Sequence, residues 1–281
     1  MQSVANKTTN FRIFEVNKKN MANFFKEFGT GISAYGKAIE IIFSKGLWWF
    51  FLFPIIINIL LFFGGFAAIN YLTDFVKEWV FGLINNENAT YFGAAYVQGF
   101  LSGFIWLVFK ILFFFIFAYI GGFVVIILLS PVFSVLSEKT EAVLTGKKYP
   151  FDADQMMRDI VRGVLIATRN LFIEIGYIIV LFVLSFIPII GQLGAIFLFF
   201  VSAYFYGFSF MDYTIERQKY SVKQSVQFIR QHKGIAVANG VLFSLFMLIP
   251  FCGVTLAGFI SIVAVVAATI STHKVLMEEK K

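Results

Sequence analysis

Two residues of this chain carry a charge or an amide deep inside sequence that is otherwise apolar, and a third stands at the edge of such a stretch. Lys110 is the only charge in the 49 residues 89–137. Asn58 lies within 46–73, which has no charged residue at all. Glu138 follows directly after the stretch that holds Lys110. An ionisable side chain at membrane depth either meets an ion or pairs with an opposite charge, so Lys110 is a candidate for attracting an anion along a path. The other reading is that its long stem lets the ammonium reach the interface. Asn58 requires a hydrogen-bond partner wherever water is excluded. Glu138 either pairs with Arg158, Arg162 or Arg169 near the mouth of such a path or forms a plain surface ion pair. None of these types in this arrangement breaks bonds. His232 and His273 both stand at the edges of apolar stretches, Cys252 is the single cysteine, and no Gly-rich phosphate loop occurs. The chain therefore offers no catalytic residue, metal site or cofactor site, and no motor for ATP.

The elements that would hold these residues are set by composition. Hydrophobic residues make up 59% of the chain, 39 of them Phe, and charged residues only 14%. A soluble domain carries about 25% charged residues, and the mean hydropathy of +0.82 points the same way. The reading is an all-α integral membrane protein. The polar tail 1–20 has no apolar run of the kind that marks a cleavable signal. The net charge of +7 is sorted by segment rather than gathered on a soluble face, which argues against nucleic acid as a partner. Residues 1–45 hold seven Lys/Arg, 138–174 six and 212–233 five, whereas 74–88 holds only Lys77. Basic loops stay in the cytoplasm. Both termini are thus expected inside and 74–88 outside, in one membrane domain, 21–281.

Within 21–45, Phe24, Phe28, Ile32, Tyr35, Ile39 and Ile42 recur at helical spacing with Lys26, Lys37 and Glu40 between them. An amphipathic helix follows, lying in the headgroup layer, packing on the protein's own helices, or both. Residues 46–73 and 89–137 read as two long transmembrane helices, the second ended by Ser130-Pro131, with Ala95, Gly99 and Gly103 forming a small-residue stripe open to another backbone. Segment 138–174 is expected as short cytoplasmic helices and turns. Then come two uncharged stretches, 175–211 and 234–272, each broken by Ile-Pro-x-x-Gly. Pro188 and Pro250 stop a helix, and Gly191 and Gly253 accept the reversal that follows. The arms before each Pro have only 13 and 16 uncharged residues, or ~20–24 Å of helix, less than the ~30 Å hydrocarbon core. Two re-entrant, partly penetrating helical hairpins are expected, although full spans that just reach the far surface use the same loops.

The order of several short motifs resembles one family. These are Phe28-Gly29-Thr30-Gly31-Ile32-Ser33-Ala34-Tyr35, then Lys45-Gly46-Leu47, Leu52-Phe53-Pro54-Ile55-Ile56-Ile57-Asn58 and Ser130-Pro131-Val132-Phe133 with Glu138-Lys139. Ala203-Tyr204, Asp212-Tyr213, Ile249-Pro250 and Ala267-Ala268-Thr269 continue the series. The chain is similar in these to the etoposide-induced protein family, whose bacterial branch contains the CysZ sulfate permeases. The resemblance implies two long transmembrane helices with two partly penetrating hairpins, a homo-oligomer, and a path for sulfate across the bacterial inner membrane. It also implies an anion access site at Lys45, Gly46 and Leu47, with Lys110, Glu138 and Asn58 as candidates along the pathway. One departure stands out: where the permeases follow Gly-Leu with arginine, this chain has Trp48-Trp49. Indole cannot offer an oxyanion the paired donors and fixed charge of a guanidinium. The expected partners are the lipid bilayer, further copies of the chain and a small inorganic anion. The alternative function is a membrane-organising or stress-related protein that transports nothing.

Overall fold

The computed structural model describes residues 2–84, 94–146, 153–184, 187, 190–249 and 252–279. Every regular element among them is helical. They are α1 (Gln2–Ser44), a 3-10 turn (Leu47–Phe51), α2 (Leu52–Ile84), α3 (Ala94–Thr145), α4 (Ala153–Leu184), α5 (Ile190–Arg217), α6 (Val222–Gln231), α7 (Lys233–Met247) and α8 (Gly253–Glu279). Among the described residues four stretches are long and apolar enough to cross a membrane: Phe123–Thr145, Ala153–Leu184, Leu193–Arg217 and Thr255–Glu278. A bent pair, Met21–Ser44 and Leu47–Leu60, turns through 104° between them. The protein is an all-α membrane protein.

Several boundaries fall elsewhere than the charge pattern predicts. α1 begins at Gln2, so the polar tail is helical almost from its start. α2 continues past Thr73 to Ile84, and the rest of the expected outer loop lies in 85–93, outside the described residues. Pro131 does not end α3 but sits inside it. An interior Pro costs about 3 kcal/mol; here Leu129, Val132, Phe133 and Leu136 on both sides of it are buried and hold the helix together. The expected cytoplasmic island at 138–174 is instead the end of α3 and the first two-thirds of α4. α4 therefore has 32 residues, ~48 Å of helix, far more than the uncharged count suggests. Asp159, Arg162 and Glu174 turn inward and bond to side chains of other helices, so they do not mark a helix end. The short arm is α7, at 15 residues or ~22 Å, which does not cross a ~30 Å core.

The core is built on α5, α7 and α8, with α1 and α3 laid against them. Where α5 meets α7 the backbones nearly touch: a Cβ on Gly207 would strike the Ala236 carbonyl, and one on Gly240 the Ala203 carbonyl. Small residues four apart on both helices permit this approach, in the manner of small-residue packing in bilayers. Among the described residues nothing lies within 4 Å of a Cβ built on Gly99 or Gly103, so within this chain the stripe of Ala95, Gly99 and Gly103 meets no close partner there. On α1 the buried face is Gly31, Ala34, Tyr35, Ala38, Ile41 and Ile42. Ile32 and Ile39 point outward with Met21, Phe25 and Phe43, because the small residues face the close contact with α7.

Candidate functional site

The elbow between α1 and the 3-10 turn is built by three residues. The Lys45 amide closes the last turn of α1 on the Ile41 carbonyl at 2.9 Å. Gly46 then takes φ 72° and ψ 22°, left-handed values that strain any residue with a Cβ. Leu47 turns back into the core and is buried, while Lys45 and Trp48 remain exposed. No side chain caps the start of the Leu47–Phe51 turn. Its first amides carry the positive end of the peptide dipoles, and Lys45 precedes them in the chain by two residues. Trp49 is exposed on one side and packs with its ring tilted against Phe50 and Phe53.

Behind the elbow, Asn58 donates to the Thr255 carbonyl at 3.2 Å and so ties α2 to the first turn of α8. A Cβ on Gly258 would meet Pro54 and Asn58, so this part of α2 rests closely on α8. Among the described contacts Asn58 serves as a tie between helices. The hairpin turns are only partly in view. Pro188 and Pro250 lie outside the described residues, and Gly191 is the second residue of α5. Gly253 opens α8 without a positive φ. It is needed for another reason: a Cβ there would meet the Phe246 and Met247 carbonyls at 2.9 and 2.8 Å.

Lys110 lies on α3, but its side chain is outside the described residues. Glu138 is not brought to the arginines considered for it. Arg158 donates to Gln155, Arg162 pairs with Asp212, and Arg169 donates to Asn170. The positive charge nearest Glu138 in effect is Arg217. Arg217 itself pairs with Glu141, one turn further along α3, at 2.5 Å.

That pair belongs to a buried polar network which the motif reading places at the membrane edge or misses altogether. Arg162 of α4 donates through Nε and Nη2 to both Asp212 oxygens of α5 at 3.0 Å, and also to Ser225 at 2.5 Å and to the Tyr220 carbonyl. The Ser137 hydroxyl lies within hydrogen-bond distance of Thr214 and Thr269, and accepts from Arg217 Nη2 at 2.6 Å. Arg217 Nη1 is buried without a partner in the described structure. Tyr213 donates to Ser130, and Ser134 to Asp159. Asp212 and Tyr213 are thus core residues. Deeper along hairpin one, Asn170 donates to Ser209, and Ser202 to Glu174. In hairpin two, Asn239 donates to Ser271. The sequence signal for this network was the recurrence of Asp159, Arg162, Arg169 and Glu174 at helical spacing on a helix whose other face is apolar. The buried carboxylates Glu141, Asp159, Asp212 and Glu216 outnumber the guanidiniums of Arg162 and Arg217. This network holds helices together and offers an anion little.

Comparison with known proteins agrees with the helical architecture. The chain is 27% identical over 224 residues to the sulfate transporter CysZ of Pectobacterium atrosepticum, covering 79% of this chain and 78% of that protein. It is 28% identical over 224 residues to the sulfate transporter CysZ of Vibrio parahaemolyticus, covering 79% and 86%. With that of Salmonella paratyphi A it shares 28% over 242 residues, or 85% and 90% of the two chains. The profile described as "Sulfate transporter CysZ/Etoposide-induced protein 2.4" matches residues 34–257, from the buried face of α1 to the first turn of α8, and the chain belongs to that family.

Proposed function

We propose that the chain is a permease or channel for a small oxyanion, sulfate in the first instance, in the bacterial inner membrane with both termini in the cytoplasm. The observation that carries this reading is the family match across 34–257, which includes the elbow at Lys45, Gly46 and Leu47. There Lys45 is exposed and no side chain caps the turn that follows; charge together with N–H donors is what an oxyanion uses. Lys110 is the candidate charge along the way, with Glu138 and Asn58 as accessory positions on α3 and α2. A homo-oligomer would supply the partner for the open faces of α2 and α3.

The second reading, a membrane-organising protein without transport, rests on Trp48 in place of the relatives' arginine and on the excess of buried carboxylates. Calorimetric titration of the purified protein with sulfate separates the two. On the transport reading the wild type binds, Lys45→Gln weakens binding and Trp48→Arg strengthens it. No heat from any of the three, with the fold intact, would favour the second reading.

A further inference from the structure

Between the first three turns of α4 and the start of α6 lies an open groove of about 480 Å³. Its walls are mostly apolar: Met157, Val161 and Leu165 on α4 and Val222 on α6, all exposed. The three α4 residues begin a single stripe that continues through the exposed Phe172, Ile179 and Val183. From Val161 to Val183 the stripe rises ~33 Å, the depth of one hydrocarbon core. With Val161 to Val183 taken as the stretch that spans the core, Arg158 falls about one turn beyond it, at headgroup level. Arg162 also lines the groove, but Asp212, Ser225 and the Tyr220 carbonyl hold its donors, and Glu216 lies 3.7 Å from its Nε. Arg158 is different. It is exposed, donates to Gln155 at 3.1 Å and pairs with no carboxylate among the described residues. Asp154, a turn farther out, is the carboxylate on the groove; the exposed Lys223 follows Val222 on the opposite wall.

We propose that this groove binds one anionic phospholipid, with its phosphate on Arg158 and an acyl chain along Met157, Val161 and Leu165. The apolar walls alone would accept any lipid tail. A free guanidinium at the depth of the phosphates adds preference for a negatively charged headgroup, because a guanidinium offers phosphate paired donors as well as charge. The inference does not depend on what the protein transports.

The test is lipid binding by native mass spectrometry of the delipidated, full-length protein. Dioleoyl phosphatidylglycerol is titrated against dioleoyl phosphatidylcholine. Wild type retains the anionic lipid preferentially, and Arg158→Gln lowers that preference on the order of fivefold. Arg158→Lys recovers part of it, and Lys223→Gln changes it less than Arg158→Gln does. Equal retention of the two lipids by wild type would overturn the proposal, as would an Arg158→Gln variant with the wild-type preference. Since Arg158 touches only Gln155 among the described hydrogen-bond partners, a folding failure is not expected from its substitution. If the glutamine variant were nevertheless unstable, the lysine variant decides: it must keep more preference for the anionic lipid than a Leu165→Asp variant, which places a carboxylate in the acyl path.

Discussion

Hairpin one (α4 and α5) and hairpin two (α7 and α8) carry the same Ile-Pro-x-x-Gly break, yet they are held in opposite ways. Only 22% of the apolar stretch of α4 is buried in the protein, against 72% for α8. α4 presents Phe172, Ile179, Val180, Phe182 and Val183 outward. It is fastened to the bundle by Arg162 on Asp212, Asn170 on Ser209 and Glu174 on Ser202. Hairpin two is fastened by fit. Gly234, Ala236, Ala238 and Gly240 are all buried on α7, and Ala264, Ala267 and Ala268 on α8. In a bilayer, apolar burial between helices gains little, since lipid tails are equally apolar. A peripheral helix must then be held by polar contacts, and a central one by close packing. The two hairpins show each solution once, and they meet at the Gly207–Gly240 crossing.

Substitutions can break this contrast at either end. The largest effect is expected from Arg162→Gln, which leaves the Asp212 carboxylate buried and unpaired and costs about 3–5 kcal/mol. The double variant Arg162→Met, Asp212→Leu should restore most of it, as followed by thermal unfolding in detergent. If Arg162→Gln unfolds with the wild type, α4 is not fastened by its polar face. Next comes Gly240→Ala, whose methyl runs into the Ala203 carbonyl and forces α5 and α7 apart at a cost of roughly 1–3 kcal/mol. The same measurement reads it, and full stability would mean that the crossing is looser than described. Asn58→Leu removes the tie to Thr255 and is expected to cost about 0.6 kcal/mol, separable only by unfolding at several detergent concentrations. Smallest of all, Phe172→Leu on the outward face of α4 should stay within about 0.5 kcal/mol of wild type; a larger loss would show that this face packs on something other than lipid.

The same contrast explains what could be read from the sequence. Hairpin two was legible because its charge-free run coincides with its helices: 234–272 in the sequence against Lys233–Met247 and Gly253–Glu279 in the structure. Hairpin one was not, because a charge is a poor marker of a helix end when its partner is on another helix. Asp159, Arg162 and Glu174 look like the end of the membrane segment until Ser134, Asp212, Ser225 and Ser202 are seen beside them. Their helical spacing hints at a shared face, but the partners, 50 residues away for Arg162 and Asp212, are not local. The same blindness misplaced Glu138, since Glu141 is the residue that faces Arg217. On α1 the aromatic and aliphatic spacing gave the helix, but the buried face is set by small residues, which pattern reading ranks below Ile32 and Ile39. At the elbow Gly46 adopts left-handed geometry between the exposed Lys45 and the buried Leu47.

The most direct test of the account is radiolabelled sulfate uptake into proteoliposomes containing the full-length protein, with empty vesicles and the Lys45→Gln and Lys110→Ala variants alongside. The account predicts saturable uptake above empty vesicles that falls in Lys45→Gln and in Lys110→Ala while the folded protein content is unchanged. Uptake by the wild type no faster than empty vesicles would contradict it, and uptake unaffected by either variant would remove the elbow and Lys110 from the path.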